Sequence, residues 1–129
     1  MEINILIIDD EDAVQGILSA FLKRYCSDKG IQGNITCMND PVESLLELTT
    51  RGQQYALILL DVRIPKLSGD EIYSSIEQVN PDVVDHILFV TGYPEDLHER
   101  LPEKQLNILQ KPFRYNSFCN TINELLEPS

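Results

Sequence analysis

Basic residues are scarce in this chain. Lysine and arginine total 10 against 21 aspartates and glutamates, for a formal net charge of −11. Such a surface is repelled by phosphate backbones and anionic lipids, which argues against direct nucleic-acid binding and against membrane association. Cysteine is also sparse. Cys26, Cys37 and Cys119 are odd in number and widely spaced, with no Cys-x-x-Cys pair. That excludes a disulfide framework and suits a reducing compartment. It excludes a zinc site too, since His86 and His98 stand beside no cysteine. No apolar run is long enough to span a bilayer, and the start, Met1-Glu2-Ile3-Asn4, lacks the basic stretch of a signal peptide. The expected location is cytoplasmic.

What is present is an ordinary globular balance. The chain has 129 residues, 43% apolar and 24% charged, the size and composition of one domain. Short apolar runs alternate with amphipathic stretches. Ile3 to Ile8 is β-rich and stops abruptly at acids. Val14, Ile17, Leu18, Phe21, Leu22 and Tyr25 then recur at helical spacing. Gly30 to Gly33 marks a loop, with Ser27–Gly33 expected as a long connection, and Asn34 to Met38 reads as a weaker strand. Asp40 caps the next helix, Pro41 takes its first position, and Glu43 gives capping-box spacing. Val42, Leu45, Leu46 and Leu48 supply that helix's apolar side.

Tyr55 to Leu60 is apolar on both faces, as a central strand of a covered parallel sheet must be. Ser68 and Glu71 form a second capping box, and Ile72, Ile76 and Val79 carry a helix that Asn80-Pro81 ends. Ile87 to Val90 and Leu106 to Leu109 are further strands. Between them, Pro94 and Pro102 leave room for only a short helix. Phe118, Ile122, Leu125 and Leu126 form the last. Five β-α repeats of this kind imply a parallel sheet with right-handed crossovers and helices on both faces. No internal repeat or linker interrupts them.

Polar residues gather at the carboxyl ends of the expected strands, where open α/β sheets place their ligand crevice. Asp9 and Asp10 follow the first strand, Asp61 the third and Lys111 the fifth, while Thr91 ends the fourth. Taken singly, each aspartate is explained as a helix cap, Thr91 as a strand-end residue and Lys111 as surface charge. Taken together they form a site. Converging carboxylates repel unless a cation neutralises them, and an all-oxygen set suits Mg2+, with Mn2+ as a substitute. A lysine and a hydroxyl at the rim stabilise a phosphoryl group, and a carboxylate can be its nucleophile.

These blocks resemble the receiver domain of two-component response regulators. They are Leu6-Ile7-Ile8-Asp9-Asp10-Glu11, Leu59-Leu60-Asp61-Val62-Arg63-Ile64-Pro65 with Ser68-Gly69, Phe89-Val90-Thr91-Gly92-Tyr93, and Gln110-Lys111-Pro112-Phe113. The last two are similar in wording to receivers attached to hybrid sensor kinases. The resemblance implies a flavodoxin-like (βα)5 fold of three layers, with sheet order 2-1-3-4-5, as one receiver domain over residues 1–129 without an output domain. It implies Asp61 as phospho-acceptor, and Asp10, Asp61 and the Arg63 main-chain carbonyl as metal ligands, with Asp9 acting through water. Thr91 is the implied switch residue, Lys111 pairs with the phosphoryl group, and the Lys111-Pro112 bond is cis. The implied phosphodonor is a sensor histidine kinase or a histidine phosphotransfer protein, and the signal passes to a partner or output domain not identified by the sequence. The chain departs from the family at Ile108, where an aromatic reporter often stands three residues before the lysine. Arg63 and Tyr93 occupy positions beside the site where the family tunes phosphoryl lifetime.

Two other functions compete with this one. A haloacid-dehalogenase-like phosphatase also uses an aspartyl nucleophile but needs a second acid two residues later, where this chain has Arg63. A phosphorylation-independent pseudo-receiver usually lacks one of the acids or the lysine, and none is missing here. The expectation is a phospho-accepting module rather than a turnover enzyme.

Overall fold

The computed structural model describes residues 1–126; the expected range of 1–129 runs three residues past it. Five parallel strands lie in the order β2-β1-β3-β4-β5. In chain order they are β1 (Glu2–Ile8), β2 (Gln32–Met38), β3 (Tyr55–Leu60), β4 (Ile87–Thr91) and β5 (Asn107–Gln110). The helices are α1 (Asp12–Lys29), α2 (Pro41–Arg51), α3 (Gly69–Val79), α4 (Pro94–Arg100) and α5 (Tyr115–Leu126). Short 3-10 turns precede β3 and β4, at Gly52–Gln54 and Pro81–His86.

Strand alternation divides the core in two. Leu6, Ile8, Ile58, Leu60, Ile87 and Phe89 face Leu48 of α2, Ile72 and Ile76 of α3, and Leu97 of α4. Ile5, Ile7, Leu57, Leu59, Leu88 and Val90 face Leu18, Leu22 and Tyr25 of α1 and Phe118 and Ile122 of α5. The period-2 geometry of a strand sends neighbouring side chains to opposite layers, so both faces are apolar and both are covered. Each fully buried aliphatic contributes about 1.5–3 kcal/mol relative to exposure.

The caps follow the sequence closely. The Asp40 carboxylate accepts from the amides of Val42 and Glu43 at 2.8 and 3.1 Å. Ser68 and Glu71 form their capping box, with the Ser68 amide and hydroxyl both donating to Glu71 Oε1. Three expectations change. The Ser27–Gly33 connection is not long: α1 continues to Lys29 and β2 starts at Gln32. Gly30 makes this tight stop with φ 67°, a left-handed conformation that costs glycine little, and its amide donates to Ser27 O at 3.3 Å. Val42 and Leu46 are 61% and 64% exposed, so Leu48, with Leu45 partly buried, carries the apolar side of α2. Ile17 and Val79 likewise point outward.

Candidate functional site

Strand register builds the site. Ile8 is paired with Leu60, so the next residues, Asp9 and Asp61, emerge side by side from two central strands. The Asp61 amide donates to Ile8 O at 3.0 Å, and the Asp9 amide to Met38 O at 3.2 Å. Thr91 is paired with Gln110, and the Lys111 amide donates to Thr91 O at 2.8 Å. Lys111 therefore enters the crevice from β5 across the end of β4. The Lys111-Pro112 bond is cis, as expected. Gln15 of α1 secures the near wall by donating to Asp9 O at 2.6 Å and to Met38 O at 3.1 Å.

The acids converge. Asp9, Asp10, Glu11 and Asp61 each present a carboxylate oxygen within 4.8 Å of the others. Asp9 and Asp61 are buried, whereas Asp10 and Glu11 are exposed. The Lys111 ammonium lies 3.4 Å from Asp9 Oδ2 and 3.7 Å from Asp61 Oδ2. Asp9 Oδ1 accepts from the Glu11 amide at 2.9 Å, and Asp61 Oδ1 from the Val62 amide at 2.8 Å. These bonds orient the two carboxylates but leave them crowded. Burial pushes the Asp61 carboxyl up to about 6, and the neighbouring Asp9 charge adds to it, against the pull of Lys111 and the Val62 amide. Burial also raises Asp9, opposed by the Glu11 amide and Lys111.

This donor set fits a hard divalent cation. Among the described residues the converging ligand atoms are carboxylate oxygens, and these four acids outnumber the Lys111 ammonium beside them. A bound dication would neutralise the crowded carboxylates, whose mutual repulsion adds to the effect of burial on Asp61. Glu11 belongs to the cluster although no role was expected for it; its adjacency to Asp10 was the available signal.

Thr91 is fully buried at the end of β4, and its hydroxyl accepts from the Tyr93 amide at 3.0 Å. Arg63 follows Asp61 on the same loop. Its guanidinium lies 3.3 Å from the Tyr93 ring centroid and donates through Nε to Asp96 Oδ2 at 3.0 Å. Ile108 pairs with Phe89 in the sheet and packs, partly buried, against the cluster that contains Leu97. Gly69 packs against the loop that carries Asp61 and Val62. A Cβ there would lie 2.2 Å from Asp61 O, and its amide donates to Val62 O at 2.9 Å.

A doubly wound parallel sheet with clustered acids beyond its central strands defines a class of α/β proteins whose ligands sit at the strand-order switch point. Within that class, the sequence profile of the response regulator receiver domain matches residues 5–123, and the chain belongs to this family. Among curated relatives, it is 28% identical over 127 residues to the sensor kinase CckA of Brucella abortus (strain 2308), covering 95% of this chain and 12% of that protein. It is 29% identical over 126 residues to the transcriptional regulatory protein ZraR of Escherichia coli (strain K12), covering 96% of this chain and 26% of that protein. The chain thus spans a minor part of either relative. A similar solved structure is the receiver domain of a sensor histidine kinase from Pseudomonas aeruginosa PAO1, with a magnesium ion coordinated in its active site cleft. It has TM-score 0.78 and 20% identity, over 98% of both chains. A receiver domain protein from Clostridium thermocellum gives TM-score 0.77 at 21% identity, over 96% of this chain and 94% of that one. At these identities the likeness concerns the fold.

Proposed function

We propose that this receiver domain accepts a phosphoryl group on Asp61 from a phosphohistidine, in a reaction that needs Mg2+. The observation that carries the reading is the buried Asp61 carboxylate, crowded by Asp9 and Asp10 and reached by the Lys111 ammonium. Membership of the receiver family supports it.

Asp61 keeps Oδ1 on the Val62 amide, while Oδ2 faces Lys111. A carboxylate oxygen of Asp61 attacks phosphorus, a new O–P bond forms, and the N–P bond to the donor imidazole breaks. The imidazole leaves with that electron pair and takes a proton from solvent. Asp10, Asp61 and the Arg63 main-chain carbonyl would hold the cation, with Asp9 through water. When bound, the cation supplies charge neutralisation and orientation of phosphoryl oxygens. Lys111 adds a point charge on the same oxygens. Thr91 exchanges its bond from the Tyr93 amide for one to the phosphoryl group, which links the site to the start of α4.

The donor is a sensor histidine kinase or a histidine phosphotransfer protein, and the phosphorylated state is read by a partner or output domain. The chain acts as a signalling module in the cytoplasm over its whole length and turns over no external substrate. Incubation with Mg2+ and acetyl phosphate is expected to add one phosphoryl group per chain. Full labelling with EDTA in place of Mg2+ would contradict the metal requirement.

A further inference from the structure

Arg63 poses an electrostatic problem. It lies two residues after Asp61, on the loop whose carbonyl would face the cation, and a guanidinium is always charged. A free cationic side chain there has an obvious partner in the acid cluster and would compete with a metal ion for it. The structure instead turns Arg63 away. The guanidinium stacks on Tyr93 and is held by Asp96 of α4, Nε to Oδ2 at 3.0 Å and Nη2 to Oδ1 at 3.5 Å. Asp96 is buried, and its amide donates to Tyr93 O at 3.1 Å, so ring and carboxylate form one receptor for the guanidinium. A second tie, Arg100 to Asp70 at 3.0 Å, pins the same helix to α3.

We propose that Asp96 is a positioning residue that keeps the Arg63 guanidinium out of the acid cluster and so preserves the cation site. The inference rests on the assignment of that cluster as a Mg2+ site. It also gives the site a route to α4 that does not pass through Ile108. Filling the cluster with a dication removes the competing partner of Arg63. The Arg63–Asp96 pair then strengthens, and α4 is held more firmly; by linkage, loosening that pair weakens the ion.

The test is calorimetric titration of Mg2+ alone into the full chain and three variants. Asp96→Asn frees the guanidinium while keeping side-chain shape, and is expected to weaken Mg2+ binding about tenfold or more, as outer-shell changes do. Arg100→Gln removes the other ion pair that ties down α4 without releasing a cation beside the acids, and is expected to stay within about threefold of wild type. Asp96→Asn combined with Arg63→Gln removes the competitor and is expected to regain affinity over Asp96→Asn alone. Hydrogen exchange on the unmutated chain adds a check independent of variant folding: Mg2+ is expected to slow the amides of α4. Unchanged affinity in Asp96→Asn, equal weakening in Arg100→Gln, no recovery in the double variant, or unslowed α4 exchange would each overturn the inference. Absence of Mg2+ binding in the wild type would instead overturn the metal-site assignment beneath it.

Discussion

Asp61→Asn is expected to make the metal-free protein more stable at neutral pH. Burial first, and the Asp9 charge second, push the wild-type carboxyl up to about 6 in the folded protein from an ordinary 3.8. The folded chain therefore holds this proton at pH values where the unfolded chain has released it. Stability falls as pH rises through that window, and the full penalty is present above about pH 6. At 1.36 kcal/mol per unit, the two-unit difference corresponds to about 3 kcal/mol. Asparagine removes the charge and keeps an oxygen for the Val62 amide. Allowing for relaxation around the crowded acids, we expect a gain of about 1–3 kcal/mol, or roughly 4–10 °C in Tm for a domain of this size. The assay is a series of thermal melts in EDTA from pH 4 to pH 7.5, wild type against variant. The gap should be near zero at pH 4 and widest above pH 6. Millimolar Mg2+ should narrow it by stabilising the wild type more. A variant no more stable than wild type at pH 7.5, or a gap that ignores pH, would refute a destabilising buried charge at Asp61.

Other perturbations separate the parts. Lys111→Ala removes the ammonium shared by Asp9 and Asp61; phosphorylation by acetyl phosphate should slow about tenfold or more, while Mg2+ affinity is largely kept. Equal loss of both would reassign Lys111 to metal binding. Gly69→Ala places a methyl against the Asp61 carbonyl, which is backbone and cannot turn aside; we expect a loss of about 1–3 kcal/mol in urea unfolding. No loss would mean that the acceptor loop is more pliant than its packing indicates. Tyr55→Phe deletes the donor 2.5 Å from Glu47 Oε2, a carboxylate also paired with Arg51. That should cost about 1–3 kcal/mol, with phosphorylation unchanged.

Much of the fold was legible because its signals are local. Tyr55–Leu60 has the observed bounds of β3, since a run apolar on both faces has no place except mid-sheet. Pro94 and Pro102 bracket a helix of seven residues. Tertiary packing decided the rest. Helical spacing cannot say which apolar residues reach the core, so Val42 and Leu46 were expected inside and lie outside. Ser27, Asp28 and Lys29 looked like loop because they are polar, yet they complete α1 on its solvent side up to Gly30. The turn Pro81–His86 arises where Val83 and Val84 bury themselves beneath α3, a contact without periodic signature. In the site, strand ends pointed to Asp9, Asp10, Asp61, Thr91 and Lys111 because a parallel sheet aligns them. Asp96 could not be found that way. It lies in α4, 33 residues from Arg63, and nothing local joins the two.

Asp61, Asp9 and Asp10 are all close enough to compete as nucleophile. The most direct measurement is therefore the position of the phosphoryl group after reaction with acetyl phosphate and Mg2+, by intact mass for stoichiometry and peptide mapping for place. One group on the peptide that carries Asp61, absent in Asp61→Asn, is the expected result. A label on the peptide with Asp9 and Asp10, or undiminished labelling of Asp61→Asn, would contradict it.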